Sequence, residues 1–105
     1  MTQEPLTPDN IPRMRDCGLK TLDELVLLVL AESDAQVAKW GLQNHRPCDW
    51  TAILAEEFGE LAKELLEYHF GGGDGSKIRA EAIQVATLAL KIAEMSPLAP
   101  GRGQA

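Results

Sequence analysis

The chain has 105 residues, which is enough for one small domain and too few for two domains of ordinary size. Apolar residues make up 45% of it, but only five residues are aromatic, so aliphatic side chains must supply most of the core. The formal net charge of −6 argues against a nucleic-acid backbone as the main partner.

The two ends of the chain are predicted to lie outside the folded domain. Residues 1–17 are polar, carry three prolines and are predicted to form a flexible arm, with no secretory leader. The longest apolar run, Leu25 to Ala31, is far too short to span a membrane. We therefore expect a cytoplasmic protein without membrane contact, in which Cys17 and Cys48 are free thiols. Residues 96–105, rich in proline and glycine, are predicted to be disordered.

The segment between these ends, residues 18–95, is predicted to be one helical domain. Its first helix covers about residues 21–40, where apolar residues recur with helical spacing. Thr21 is the expected N-cap, and Glu24 three residues later completes the pattern of a capping box. Gly41 is expected to end the helix.

Two more amphipathic helices follow, one from Asp49 or Trp50 to His69 and one from Ser76 to Met95. No segment alternates with a period of two, so no strand is predicted. Three helices of about twenty residues are a thin set for a bundle. We therefore expect an all-α fold, an antiparallel bundle of about three long helices per chain. Its core would be completed by homo-oligomerisation, as a homodimer or homotetramer.

Two glutamates occupy positions that a helical wheel surrounds with apolar side chains. Residues three or four apart share a helix face. Glu57 lies at the edge of the apolar stripe of the second helix. An unpaired buried carboxylate costs on the order of several kcal/mol, so such groups are usually paired or bound to a metal. Glu81 shares its face with four apolar residues, Ile78, Val85, Leu88 and Ile92.

Four side chains with oxygen atoms form two pairs, each with a spacing of three residues. Glu57 and Glu60 lie on the second helix, and Glu81 and Gln84 lie on the third. Antiparallel packing of these helices would set the pairs face to face, as three carboxylates and one amide oxygen suited to Mg²⁺ or Mn²⁺. The alternative is a solvated acidic face, which we favour for three other glutamates: Glu56, Glu64 and Glu67.

Residues 36–47 combine an indole, amides and an imidazole. Trp40, Asn44 and His45 are therefore candidates to hold a nucleobase and its sugar. The alternative is a helix end with Trp40 in the core and the polar side chains in water. Composition alone leaves both interpretations open.

The glycine-rich residues 71–75 are predicted to form a turn between antiparallel helices. A P-loop needs Gly-Lys-Ser/Thr after a strand, whereas here a helix comes first and Ser76 precedes Lys77. The start of the third helix, with Lys77 and Arg79, could still contact a phosphate.

Three segments together resemble a known family. Residues 40–45, 50–63 and 81–86 are similar to the MazG-like branch of the all-α nucleoside triphosphate pyrophosphohydrolases, in particular its short single-domain phage and bacterial members. The family pattern is Glu-Glu-x-x-Glu followed by Glu-x-x-Asp. The first half is matched fully by residues 56–60. In the second half, Gln84 stands where the family has aspartate.

The resemblance implies hydrolysis of a nucleoside triphosphate to its monophosphate and pyrophosphate, with a house-cleaning role in the nucleotide pool. It implies that Mg²⁺, or Mn²⁺, is held by three glutamates, Glu57, Glu60 and Glu81, with Gln84 at the fourth position. Glu56 would orient water and complete the catalytic set. The candidate phosphate contacts are Lys63, Lys77 and Arg79, and the candidate base and sugar contacts are Trp40, Asn44 and His45.

Gln84 also supports an alternative function, because a neutral amide brings no charge to a metal site. The chain would then be a catalytically weak or inactive helical oligomerisation module that binds a nucleotide or a protein partner. A third interpretation is a structural helical oligomer without any ligand.

Overall fold

The structure, a computed structural model, describes residues 5, 7, 10–14 and 17–97. It contains three helices, α1 (Leu22–Trp40), α2 (Pro47–His69) and α3 (Ile78–Met95). The described residues include no strand, which confirms the all-α class. Helix α3 packs against both α1 and α2, whereas α1 and α2 do not pack against each other. The predicted arm lies partly, and the predicted tail almost wholly, outside the described residues.

Helix α1 has the predicted end but not the predicted cap. Thr21 makes no side-chain hydrogen bond to the first turn, so the capping box with Glu24 is wrong. The backbone of Thr21, with ψ of 37°, lacks the extended conformation from which a capping hydroxyl reaches the helix. Gly41 ends the helix as expected, with φ of 73° and its N–H donating to the Val37 carbonyl at 2.8 Å.

Helix α2 begins at Pro47, two or three residues before the predicted start at Asp49 or Trp50. Arg46 precedes it, and both its backbone N–H (3.3 Å) and its Nε (3.0 Å) donate to Asp49 Oδ2. Pro47 suits the first helical position because an N–H there has no partner within the helix. The prediction was wrong because arginine is not a usual N-cap residue, and here the aspartate three residues later makes the cap.

Helix α3 begins at Ile78, two residues after the predicted Ser76. The glycine-rich segment forms the predicted turn, closed by a hydrogen bond from the Ser76 N–H to Asp74 Oδ1 at 2.9 Å. Gly75 has φ of 77°, and a Cβ atom there would lie 2.9 Å from the Tyr68 ring. The turn therefore requires glycine at this position both for its backbone conformation and for space.

A single chain buries very little. Among the described residues only Thr87 and Leu88, both on α3, are buried. The Thr87 hydroxyl donates to the Ile83 carbonyl at 2.7 Å, so its polar group is satisfied within its own helix. Many leucine, valine and aromatic side chains on all three helices remain exposed. Across the part of the chain that the structure describes, no helix has both the length and the apolar character to cross a membrane.

Candidate functional site

The charges of carboxylates on all three helices act on Glu57 of α2. Glu57 is half-buried, and burial is the main reason that its pKa is raised above the ordinary value. The negative charges of Glu81, Glu56, Glu60 and Glu32 raise the pKa of Glu57 further. The packing of α1 and α2 on α3 therefore couples three of the four predicted residues, Glu57, Glu60 and Glu81, electrostatically, whereas Gln84 carries no charge.

Glu81 has a buried carboxylate oxygen without a partner. Its Oε2 atom is inaccessible to solvent and makes no hydrogen bond. The surrounding turn of α3, from Glu81 to Ala86, is half-buried throughout, as expected from its apolar neighbours. A buried acceptor without a hydrogen bond loses its hydration without replacement. A bound cation would therefore stabilise this oxygen, because it would replace the lost hydration.

The chemistry of this cluster fits a hard divalent cation. Glu57, Glu60 and Glu81 offer carboxylate oxygens, the ligands that Mg²⁺ and Mn²⁺ prefer. Within the described residues, however, no three histidine, cysteine, aspartate or glutamate side chains are gathered closely enough to hold one ion. Glu56 and Glu60 are exposed, so their side chains have room to turn toward Glu57 and Glu81.

Glu32 of α1 belongs to the cluster but was not among the predicted site residues. Its Oε2 accepts a hydrogen bond from Gln36 Nε2 at 2.7 Å, and Gln36 Oε1 accepts one from Lys91 Nζ of α3 at 2.8 Å. These two bonds tether the Glu32 side chain to the α3 side of α1. A sequence signal existed, since Glu32 and Gln36 continue the face of Leu25 and Val29 at helical spacing.

Gln84 shares a cleft with Glu32 of α1. Both residues line a cleft of about 460 Å³ between α1 and α3, together with Arg79 and several apolar side chains. The position at which the family has aspartate therefore shares its space with a carboxylate from a different helix.

A second cleft, of about 680 Å³, lies where α2 begins and α3 ends. Asn44 and His45 both line it, so the structure brings together these two predicted contacts. Trp50 also lines it, and its ring meets that of His45 edge-on, with centroids 4.8 Å apart. The Nε2 atom of His45 is buried without a hydrogen-bond partner. The cleft thus combines an aromatic wall with unused hydrogen-bonding capacity.

Trp40 does not line this cleft. Its side chain is 58% exposed, and Lys39 Nζ lies 4.5 Å from the centroid of its ring. The alternative that placed Trp40 in the core is therefore wrong for the single chain, and Trp50 is the indole that lines the cleft with Asn44 and His45.

The three predicted phosphate contacts are not brought together. Lys63 and Lys77 line a cleft of about 540 Å³ beside the glycine-rich turn, together with Glu64 and Glu67. Arg79 instead lines the cleft of Glu32 and Gln84.

The raised pKa of Glu57 predicts a pH-dependent stability of the metal-free protein. The folded state keeps this proton to a higher pH than the unfolded chain, so the ionised carboxylate costs stability once the pH rises above its ordinary pKa of 4.5. Glu57→Gln should therefore raise the melting temperature at pH 7 and change it little at pH 4. Melting curves of Glu56→Gln, on the exposed neighbour, are the control, and an equal rise there would contradict the prediction.

Among the residues that the structure describes, the buried side-chain polar atoms without a hydrogen-bond partner are Glu81 Oε2 and His45 Nε2, and they lie within the two regions that the sequence singled out. Comparison of the chain with protein-family models, with curated proteins and with solved structures finds no match.

Proposed function

We propose that this protein is a Mg²⁺-dependent nucleoside triphosphate pyrophosphohydrolase that acts as a homo-oligomer built from antiparallel helical bundles. The observation that carries the proposal is the buried, unpartnered oxygen of Glu81 next to Glu57, whose pKa is raised by burial and by surrounding carboxylates. Such an excess of negative charge in a half-buried place is typical of a cation site.

The residues of the cluster have separable roles in this proposal. Glu57, Glu60 and Glu81 would hold the ion. When bound, Mg²⁺ would neutralise phosphate charge and activate a water molecule. Glu56 is exposed beside Glu57 and would accept the proton that this water loses on attacking the phosphorus. The attacked atom would be the α-phosphorus, whose bond to the oxygen that bridges it to the β-phosphorus would break, so that the monophosphate remains and pyrophosphate leaves.

The cleft of Asn44, His45 and Trp50 would hold the base and sugar. Trp50 lies seven residues before Glu57 on α2, which is about 10 Å along the helix axis. One nucleotide can bridge this spacing, with its base against the aromatic wall and its phosphates near the glutamates. His45 Nε2 is buried without a partner, so a hydrogen bond with such a ligand would satisfy it.

Gln84 favours a second candidate function, an oligomeric module that binds a nucleotide or a protein partner with little or no turnover. Its amide brings no charge to a cation. The module would bind nucleotide or Mg²⁺ without releasing pyrophosphate.

The test is pyrophosphate release from a panel of standard and modified NTPs and dNTPs with Mg²⁺ or Mn²⁺. We expect release by the wild type and none by Glu57→Ala, because the half-buried centre of the cluster is lost. The matched control is Glu64→Ala, which changes a half-buried glutamate of α2 in the cleft beside the glycine-rich turn. A folded wild type that releases no pyrophosphate would refute the enzyme, and a nucleotide-dependent rise in its melting temperature would then support the binding module.

A further inference from the structure

Two hydrogen bonds in series cross from α3 to α1 and end on a carboxylate of the cluster. Lys91 Nζ of α3 donates to Gln36 Oε1 at 2.8 Å, and Gln36 Nε2 donates to Glu32 Oε2 at 2.7 Å. All three side chains are half-buried. We call this arrangement the polar bridge, and it consists of Glu32, Gln36 and Lys91.

The two ends of the polar bridge fix the orientation of the amide between them. An ammonium group only donates hydrogen bonds, and a carboxylate only accepts them. The amide oxygen of Gln36 must therefore face Lys91, and its nitrogen must face Glu32. Reversing the amide would break both bonds, and both are of the stronger kind because one partner in each is charged. Gln36 consequently holds the Glu32 carboxylate in a defined place.

Gln36 also keeps the Lys91 ammonium apart from the Glu32 carboxylate. Among the described residues the one ion pair within 4.0 Å joins Arg46 and Asp49, so Lys91 and Glu32 do not form one. The charge of Glu32 acts instead on Glu57 of α2. The bridge therefore tethers the carboxylate without neutralising it in a direct ion pair.

The polar bridge runs between the two regions of the proposed site. Gln36 and Lys91 line a cleft of about 240 Å³ together with Trp50. Trp50 also lines the cleft proposed for the base and sugar. At the other end of the bridge, Glu32 lines the cleft that contains Gln84. Orientation of Glu32 is therefore linked to the packing of α1 on α3 at the site itself.

We propose that Gln36 is a positioning residue, which holds Glu32 so that its carboxylate contributes to the binding of the divalent cation. This inference rests on the proposed function, because it concerns the same cation. Gln36 acts through Glu32 and is not itself a ligand. A free glutamate side chain loses conformational entropy when it is ordered next to a cation, whereas the tethered side chain has already lost it.

The first test is calorimetric titration of the nucleotide-free protein with Mn²⁺. Gln36→Leu leaves the net charge unchanged, and we expect it to weaken Mn²⁺ binding about 10-fold, as changes around a metal site do. In the Glu32→Gln background the same change should have no further effect, because Gln36 acts through the Glu32 carboxylate. Gln43→Leu, on an exposed glutamine outside the bridge, is the matched control and should keep the wild-type affinity.

A double variant tests the proposal even if Gln36→Leu fails to fold. Glu32→Gln combined with Gln36→Glu preserves both the composition and the net charge of the chain. The carboxylate at position 36 can accept hydrogen bonds from Lys91 and from the amide at position 32, so the bridge persists. Its negative charge, however, moves one helical turn away and onto Lys91. We expect Mn²⁺ binding as weak as in Glu32→Gln alone.

A measurement on the metal-free protein tests the bridge independently of the cation. In ¹H–¹⁵N NMR spectra, the side-chain amide protons of Gln36 should exchange with water more slowly than those of the exposed Gln43. Equal exchange rates of the two amides would overturn the proposal.

The titrations separate failure of this inference from failure of the proposed function. Three results would overturn the role of Gln36 while Mn²⁺ binding by the wild type still supports the function. They are wild-type affinity in Gln36→Leu, wild-type affinity in the double variant, and a further loss from Gln36→Leu in the Glu32→Gln background. A wild type that binds no Mn²⁺ would refute the proposed function and this inference with it.

Discussion

Glu81→Ala should lower pyrophosphate release at least about 100-fold, the scale expected for a group that stabilises charge in the transition state. The same change should keep or raise the melting temperature without metal, because it removes a buried oxygen that lacks a partner. Loss of activity together with gain of stability is the signature of a functional group placed at a cost to the fold. Initial rates and melting curves measure the two effects on the same samples.

The control for this prediction is Glu67→Ala, an exposed glutamate outside the cluster. It should leave both the rate and the melting temperature close to those of the wild type. Unchanged turnover in Glu81→Ala would refute the proposed site. A large fall in its melting temperature would instead show that Glu81 supports the fold.

Glu32→Gln should weaken Mn²⁺ binding by about 10-fold to 100-fold, the range seen when groups around a metal site are changed. Glu32 and Gln84 line the same cleft, and the charge of Glu32 already acts on Glu57. We therefore expect Glu32 to supply the negative charge that Gln84 lacks. Gln84→Asp should restore binding in the Glu32→Gln background, because it returns a carboxylate to the same space. Calorimetric titration with Mn²⁺ measures both effects.

Asp34→Asn is the control for charge, since it removes one negative charge from an exposed position of the same helix. If Asp34→Asn weakens Mn²⁺ binding as much as Glu32→Gln, the effect is one of net charge alone. Failure of Gln84→Asp to restore binding would show that the two positions do not exchange roles. Absence of Mn²⁺ binding by the wild type would instead count against the proposed function itself.

The helices were predictable because helical periodicity and glycine act locally. The ends of α1 and α2 at Trp40 and His69 follow from the sequence, as does the stop at Gly41. The cap of α2 was missed because Arg46 and Asp49 form it together through side-chain geometry. Local rules for single N-cap residues do not cover such a pair.

Local composition does not decide which of the two tryptophans, Trp40 or Trp50, lines the cleft with His45. The sequence singled out Trp40 because it lies within residues 36–47 together with Asn44 and His45, whereas Trp50 lies three residues beyond this segment. In the structure, the turn after Gly41 leaves Trp40 exposed, and α2 instead carries Trp50 to the cleft. Which indole accompanies His45 depends on where α2 packs against α3, a contact between segments distant in sequence.

The sequence by itself determined the all-α class, the C-terminal ends of the helices and the placement of Glu81 among apolar neighbours, because each depends on spacing along one helix. Only the tertiary structure decided that the charge of Glu32 acts on Glu57, and that Gln84 shares a cleft with residues of α1. Those relations arise because α3 packs between two helices that do not pack against each other. Periodicity identifies the inward face of each helix, but only packing decides which inward faces meet.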